Sequence, residues 1–488
     1  MMRKALTLLF ILGLAPVLSQ CTTNVATGRS QFTAFMSPAQ ERQVGSEEHP
    51  KILAEYNGEY PDKKLQDYVT DIGKRLAAQS EQPADQFTFT LLNDPLVNAF
   101  ALPGGYVYVT RGLLALANSE AELAAVIGHE IGHVTARHTA ERYSRANAAS
   151  IGSTILGVLL GSQEATQLAQ QGAQLYLLSF SRSQELEADK LGVRYLTRIG
   201  LDPFAEADFL DTLRRNTELE ASINGQQLPQ TDFLQTHPNT AARVKQAIAE
   251  AEGKAAAPNQ SPRYPDRYLD MINGLLYGED PAQGVVRGQT FEHPTLGFAF
   301  TAPDGYKIAN TPQAVIMQAE QNSGVVFDTA KVAAGTSMTQ YLAQDWAKGA
   351  NLANLRQFTL NGMEAAEAAA RANTQNGTVE VHLVAVRFEG ERVFRFQLIT
   401  PPPASDAQLA GFHQLVTSLR RLSDAERAAI KPYRVDVVKV QAGDTLAKLA
   451  QRMPYTDGHN VERLMVMNAL TSPTDLKAGQ RLKIIVER

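Results

Sequence analysis

Residues 128–138 read GHEIGHVTARH, which puts three of the chain's nine histidines and one glutamate in a single short stretch. On a helix, His129 and His133 share one face with Cβ atoms roughly 5–6 Å apart. Zinc binds imidazole nitrogen at about 2.0–2.1 Å, so two ligands of a tetrahedral ion stand roughly 3.3 Å from each other. Rings from adjacent helical turns reach that spacing without bending the backbone. Glu130 is rotated by about 100° from His129. From there its carboxylate can reach a water on the ion without becoming a ligand. Chance gives an HExxH roughly once in a hundred chains of this composition. Gly128, Gly132, Ile127, Ile131 and Val134 on the same stretch suit a buried helix better than a solvated one carrying two exposed imidazoles.

The third ligand has to come from elsewhere. An extended metzincin pattern needs Gly at 136 and His at 139, and the chain has Ala136 and Thr139. His138 falls about 140° from His133 on a continuing helix, which makes it a hydrogen-bonded structural side chain. Glu185 and Asp189 (ELEAD) are again four apart, on a second predicted helix around Phe180–Ile199.

The elements that must position these groups are marked by caps and periodicity. Ser37-Pro38 opens one helix, and Pro61–Ala78 is amphipathic. Phe87–Leu92 and Tyr106–Thr110 read as strands, with Pro103-Gly104-Gly105 supplying the turn of a hairpin. Ser119 and Glu122 have capping-box spacing, so the helix carrying His129 begins there. Ala146–Gly161 (ANAASIGSTILGVLLG) reads as a packed helix or a flap near the site, with membrane contact as the alternative.

Four segments, NAFALPGGYVYVTRGLL (98–114), HEIGH (129–133), SRSQELEAD (181–189) and THPNTAARV (236–244), together resemble the M48 peptidases. These are the Ste24/HtpX-like gluzincins, and the likeness is greatest to their soluble periplasmic lipoprotein members. The resemblance covers roughly residues 30–255. It implies a mainly α-helical zincin-type domain with a small β-hairpin or sheet, one Zn2+, and Glu185 as third metal ligand beside His129 and His133. It also implies that Asp189 supports the histidines and that His237 lies near the metal. Two neutral imidazoles and one carboxylate leave one open coordination position, the catalytic arrangement. Glu130 would then take a proton from the attacking water and pass it to the departing amine. The hairpin resembles a substrate-binding edge, with Asn98, Gly104 and Gly105 as its candidate residues. His237 is either a fourth ligand that plugs the site or an oxyanion group.

The start of the chain has a basic MMRK followed by Ala5–Leu18 (ALTLLFILGLAPVL), then Ser19-Gln20-Cys21. The apolar run falls short of the ~20 residues a spanning helix needs and reads as a secretory signal. Cys21 resembles the acylated cysteine of a bacterial lipoprotein, although Gln20 stands where Gly or Ala is usual. The absence of Asp just after Cys21 resembles outer-membrane sorting. With one cysteine, no internal disulfide forms. A net charge of −5 and no basic block give no reason to expect nucleic acid.

The expected organisation is a signal at 1–21, a peptidase domain at 22–255, a linker and connecting helix at 256–285, and an α+β accessory domain at 286–425. The stretch 433–488, with GDTL, NAL and LKAGQRL, resembles a LysM βααβ module. Such modules bind N-acetylglucosamine-containing glycans, here peptidoglycan. Gln451–Val466 is longer than the usual spacing, leaving wall binding and a fold kept for packing as alternatives. The functional expectation is a lipid-anchored periplasmic zinc endopeptidase of the outer membrane, acting on unfolded or misassembled envelope proteins. The rival is a peptidoglycan-tethered chaperone-like or scaffold protein with a plugged, latent metal site.

Overall fold

The computed structural model describes residues 21–146, 179–223, 237–238, 241–255, 257–319, 323–374 and 377–488. The signal at 1–20 and the apolar stretch from 147 to 161 lie outside the described residues. Two compact units are present: the chain up to Gly278 together with Tyr433–Glu487, and Glu279–Pro432.

The first unit begins with a short hairpin, β1 (Cys21–Thr23) and β2 (Ser30–Phe32), paired Cys21↔Phe32 to Thr23↔Ser30. Helix α1 (Pro38–Glu55) starts at the full capping box of Ser37 and Gln40. Helix α2 (Lys63–Ala77), capped by Asp62, buries Leu65, Val69, Ile72 and Leu76 along one stripe. A three-stranded sheet follows in the order β3-β5-β4: β3 (Thr88–Leu92), β4 (Ala99–Leu102) and β5 (Tyr106–Thr110). The Pro103-Gly104-Gly105 turn joins β4 antiparallel to β5, while β3 lies parallel to β5 on its other side. The run 99–102 lacks alternation because both its faces are covered. Phe100 and Leu102 pack with Ile52 and Tyr56 of α1, and Ala99 enters the main core.

Thr110 caps α3 (Arg111–Leu116), and Ser119 caps α4 (Glu120–Thr135), whose residues are almost all buried. Glu122 departs from the expected capping box. Its carboxylate accepts from the Asn118 N–H at 2.8 Å rather than returning to Ser119. Residues 138–146 form a further helical stretch, α5. Helix α6 (Arg182–Arg198) opens at Ser181 and Gln184 with a full capping box. It is followed by α7 (Ala205–Ile223), α8 (Ala241–Glu252) and α9 (Pro265–Ile272).

Helices α4 and α6 cross at glycines. A Cβ at Gly132 would lie 3.0 Å from the Ala188 carbonyl oxygen, and one at Gly192 would lie 3.1 Å from the His129 nitrogen. Only residues without a side chain let the two backbones come this close. The β1–β2 hairpin straps the C-terminal end of α4. Asn24 donates from Nδ2 to the Thr135 carbonyl at 2.9 Å, and Gln31 donates to the Ala136 carbonyl. These bonds satisfy carbonyls that a helix end leaves without intrahelical partners.

The C-terminal module consists of β7 (Tyr433–Lys439), α10 (Leu446–Ala450), α11 (Asn460–Met467) and β8 (Arg481–Glu487). It shares both a sheet and a core with the rest of the unit. Strand β6 (Leu276–Tyr277) adds to β7, and Leu446, Leu464, Met467 and Ile484 belong to the same apolar cluster as Val69 and Leu123. Lys483 is fully buried, its ammonium donating to the carbonyls of Ala115, Leu116 and Ala117 at 2.7–2.9 Å.

The second unit is built on a seven-stranded antiparallel sheet. Its central strands, Gly324–Lys331, Arg392–Thr400 and Gly377–Glu389, pair in that order. Phe298, Phe300, Phe327, Phe394 and Phe396 fill its core. The helix Asp406–Thr417 is capped by Ser405 and stops before the short strand Arg420–Arg421.

Candidate metal centre

The α4–α6 crossing brings Glu185 opposite His129 and His133. Ligand atoms of His129, His133, Glu185 and His237 all lie within 4.8 Å of one another, and all four residues are buried. The Nε2 atoms of His129 and His133 are 3.0 Å apart. His237 Nδ1 stands 3.3 Å from His129 Nε2 and 3.0 Å from Glu185 Oε1. Glu185 Oε1 is 3.5 Å from His133 Nε2, and Oε2 is 3.7 Å from His129 Nε2.

The groups behind these rings assign their tautomers. His129 Nδ1 faces Asp189 Oδ1 at 2.9 Å, so it carries the proton and leaves the Nε2 lone pair pointing inward. His138 Nε2 faces Glu187 Oε2 at 3.1 Å and donates to it, which leaves His138 Nδ1 as an acceptor. That atom is 2.9 Å from His133 Nδ1, which must then donate, so the His133 Nε2 lone pair also points inward. Two lone pairs 3.0 Å apart with no proton between them repel in a dry interior. A cation among them removes the conflict, and two imidazoles with a carboxylate are a donor set that zinc favours. The residues fit the metal.

His138 reaches this position by a route that helical periodicity does not give. Helix α4 ends at Thr135, and Arg137 takes a left-handed φ of 53°. The reversal turns His138 back under His133. Arg137 is held there by Glu41 at 3.1 Å and by the Met36 carbonyl at 2.7 Å.

Glu130 is fully buried, and neither of its carboxylate oxygens has a hydrogen bond. Burial pushes its carboxyl above the usual range, with His237 and His129 opposing. Its Oε1 is 3.5 Å from His237 Nε2. Burial also opposes charge on Glu185, but His237, His133 and Arg243 outweigh it and hold the carboxyl well below its ordinary value. Asp189 is likewise buried and lowered, by Arg243 and His129. Burial keeps His133 neutral, as a ligand must be.

The substrate-edge residues separate. Strand β4 is an edge of its sheet. A cleft of about 270 Å³ lies beside it, with Ala101, Leu102 and Gly104 on one wall and His133 and Val134 on the other. Gly105 serves the turn itself, since a Cβ there would lie 2.3 Å from the Gln86 carbonyl oxygen. Asn98 is buried, and its backbone exchanges hydrogen bonds with Thr110 at 3.0–3.1 Å. It fixes the root of the hairpin.

Several groups at the site were not singled out from the sequence. Arg243 is buried on α8 and reaches both Asp189 and Glu185. Glu206 on α7 is buried 4.0 Å from His129 Nδ1, its carboxyl pushed well up by burial and by Asp189. Phe180 stacks on His133 with ring centroids 3.9 Å apart. The only signal for Arg243 was its place in the THPNTAARV stretch, six residues after His237.

Comparison with known proteins agrees with this geometry. Residues 63–251 match the model of Peptidase family M48, and residues 438–484 match the LysM domain. A protein named beta-barrel assembly-enhancing protease from Yersinia pestis is 32% identical over 211 residues, covering 41% of this chain and 42% of that protein. Its namesake from Escherichia coli K12 is 29% identical over 247 residues, 48% of each chain. The mitochondrial metalloendopeptidase OMA1 of Arabidopsis thaliana is 36% identical over 173 residues, 35% of this chain and 33% of that one. The chain thus spans less than half the length of these relatives. Over residues 63–251 the chain is similar to peptidase family M48, and the same polypeptide carries a stretch that matches the LysM domain.

Proposed function

We propose that this protein is a zinc-dependent endopeptidase of the bacterial cell envelope that cleaves unfolded or misassembled envelope proteins. His129, His133 and Glu185 hold the metal, and His237, beside them, has to stand aside from the open position for water to reach the metal. The observation that carries the reading is the pair of inward Nε2 lone pairs facing a buried carboxylate. Bound zinc supplies Lewis-acid polarisation of the scissile carbonyl and of the attacking water. Glu130, dry and with burial raising its proton affinity, takes the proton of that water and delivers it to the leaving amine. Asp189 and the His138–Glu187 pair keep both ligand imidazoles in the tautomer that faces inward. An extended peptide laid along β4 by backbone hydrogen bonds suits substrates that have lost their fold. The bacterial relatives, named for enhancing β-barrel assembly, support an envelope substrate. In this reading Cys21 carries the lipid anchor, to the outer membrane, and the C-terminal module contacts peptidoglycan.

The test uses protein lacking Met1–Gln20, with bound zinc measured and casein cleavage compared with a Glu130→Gln variant. One zinc per chain with cleavage in the parent alone is expected. Equal cleavage by both would remove Glu130 from the mechanism.

One observation favours a second reading, a wall-tethered scaffold with a latent site. The His237 ring already stands within the cluster, 3.3 Å from His129 Nε2 and 3.0 Å from Glu185 Oε1. One zinc per chain with no cleavage by the parent would support it, and cleavage gained by His237→Ala would assign the latency to that ring.

A further inference from the structure

Arg243 lies in the first turn of α8, six residues after His237, and it is 2% exposed. Its guanidinium serves three partners at once. Nε and Nη2 form a two-pronged bond to Asp189, at 2.9 Å to Oδ2 and 2.6 Å to Oδ1. Nη1 lies 2.7 Å from Glu185 Oε2. The same Nη1 donates to the His237 backbone carbonyl at 3.3 Å. Asp189 in turn orients His129, and Glu185 Oε1 faces His133 and His237. One side chain therefore touches the support of one imidazole, a carboxylate ligand, and the backbone of the segment that brings in the fourth imidazole.

Geometry makes this more than charge balance. A carboxylate ligand can rotate about its terminal bond, and with both oxygens free it would present either one, or both, to the ion. The Arg243 charge, 2.7 Å from Oε2, holds that oxygen in an ion pair while Oε1 faces His133 and His237. A lysine could neutralise the charge, but it cannot form the fork on Asp189 and reach Glu185 in the same plane.

We propose that Arg243 is a positioning residue that fixes the Glu185 carboxylate for zinc and, through the same nitrogen, ties the His237 segment to the metal site. The proposal rests on the zinc-peptidase reading above. It means that displacement of His237 and loosening of Glu185 are linked, because both pull on one guanidinium.

The experiment uses the full chain in detergent, with zinc alone as the probe. Zinc affinity is measured by competition with a chromogenic chelator, and backbone hydrogen exchange is followed in the peptide containing His237. Arg243→Lys is expected to weaken zinc binding by about 10–100-fold, the range for groups that orient metal ligands. It is also expected to speed exchange around His237 in the zinc-loaded protein. If Arg243→Lys does not fold, the Asp189→Asn/Arg243→Gln pair replaces the charges by amides and carries the same two measurements. A folded variant with parental zinc affinity and unchanged exchange overturns the proposal, as does a fall in melting temperature with zinc affinity intact. A parent protein that binds no zinc would instead sink the zinc reading itself, which separates the two failures.

Discussion

His138 shows how far the chemistry of one imidazole depends on groups outside the ligand set. By donating its Nε2–H to Glu187 it becomes an acceptor for His133 through Nδ1, and His133 is thereby left with its Nε2 lone pair toward His129 and Glu185. Replacing Glu187 by Gln, or His138 by Ala, is expected to weaken zinc binding by about 10–100-fold while far-ultraviolet circular dichroism stays parental. Chelator competition checks this, and unchanged affinity would mean that His133 chooses its tautomer unaided. Glu130→Gln is expected to cut kcat by at least about 10²–10⁴-fold with zinc content unchanged. His129, Glu130 and His133 were legible in the sequence because their geometry is local to one helix. Arg243 was not, because its partner Asp189 is 54 residues away and a lone arginine reads as a solvated one. His138 was legible only in type: its structural role followed from the sequence, but its placement needed the left-handed Arg137, which periodicity cannot foresee.

The crossing of α4 and α6 is the element on which the site depends. Gly132 and Gly192 allow the backbones to approach, and that approach puts Glu185 within reach of His129 and His133. Gly192→Val places a branched side chain against the His129 backbone, so α6 must move out. The expected cost is about 1–3 kcal/mol of stability, as for overpacked cores, together with loss of tight zinc binding. Thermal melts with and without zinc test this. A variant whose melting temperature still rises with zinc as much as the parent's would show that the crossing tolerates the shift. Helix starts were readable from the serine caps at Ser37 and Ser119. The β3-β5-β4 order was not, since the parallel pairing of β3 with β5 has no local turn to announce it. The Ser119 cap was legible, yet the partner of Glu122 was not, because Asn118 and Ser119 offer that carboxylate adjacent N–H groups.

At the scale of the first unit, the C-terminal module is built into the peptidase part, not hung from it. Lys483 sits in LKIIV, which reads as an ordinary strand with an outward lysine; only the docked core shows it pointing into carbonyls at the end of α3. Burial pushes Glu122 up to about 7 and Lys483 down to about 7, each opposed by the charge of the other. In the fold Glu122 keeps a proton that the unfolded chain releases above 4.5, so this group's contribution to stability falls as pH rises from 4.5 to about 7. Lys483 loses in the fold a proton that the unfolded chain keeps to 10.5, so its contribution recovers from about 7 upward. A shallow trough in melting temperature near neutral pH is expected, and it should vanish in Glu122→Gln/Lys483→Met. Identical pH profiles for the two proteins would refute the assignment. The β1–β2 strap has a consequence of its own. Asn24, three residues after Cys21, is already bonded to the end of α4, and three residues extend at most about 10 Å. If Cys21 carries the proposed lipid anchor, the end of α4 sits on a leash with almost no slack. In that case the C-terminal end of α4 would hover close to the membrane surface, and anything the protein acts on would have to come to it.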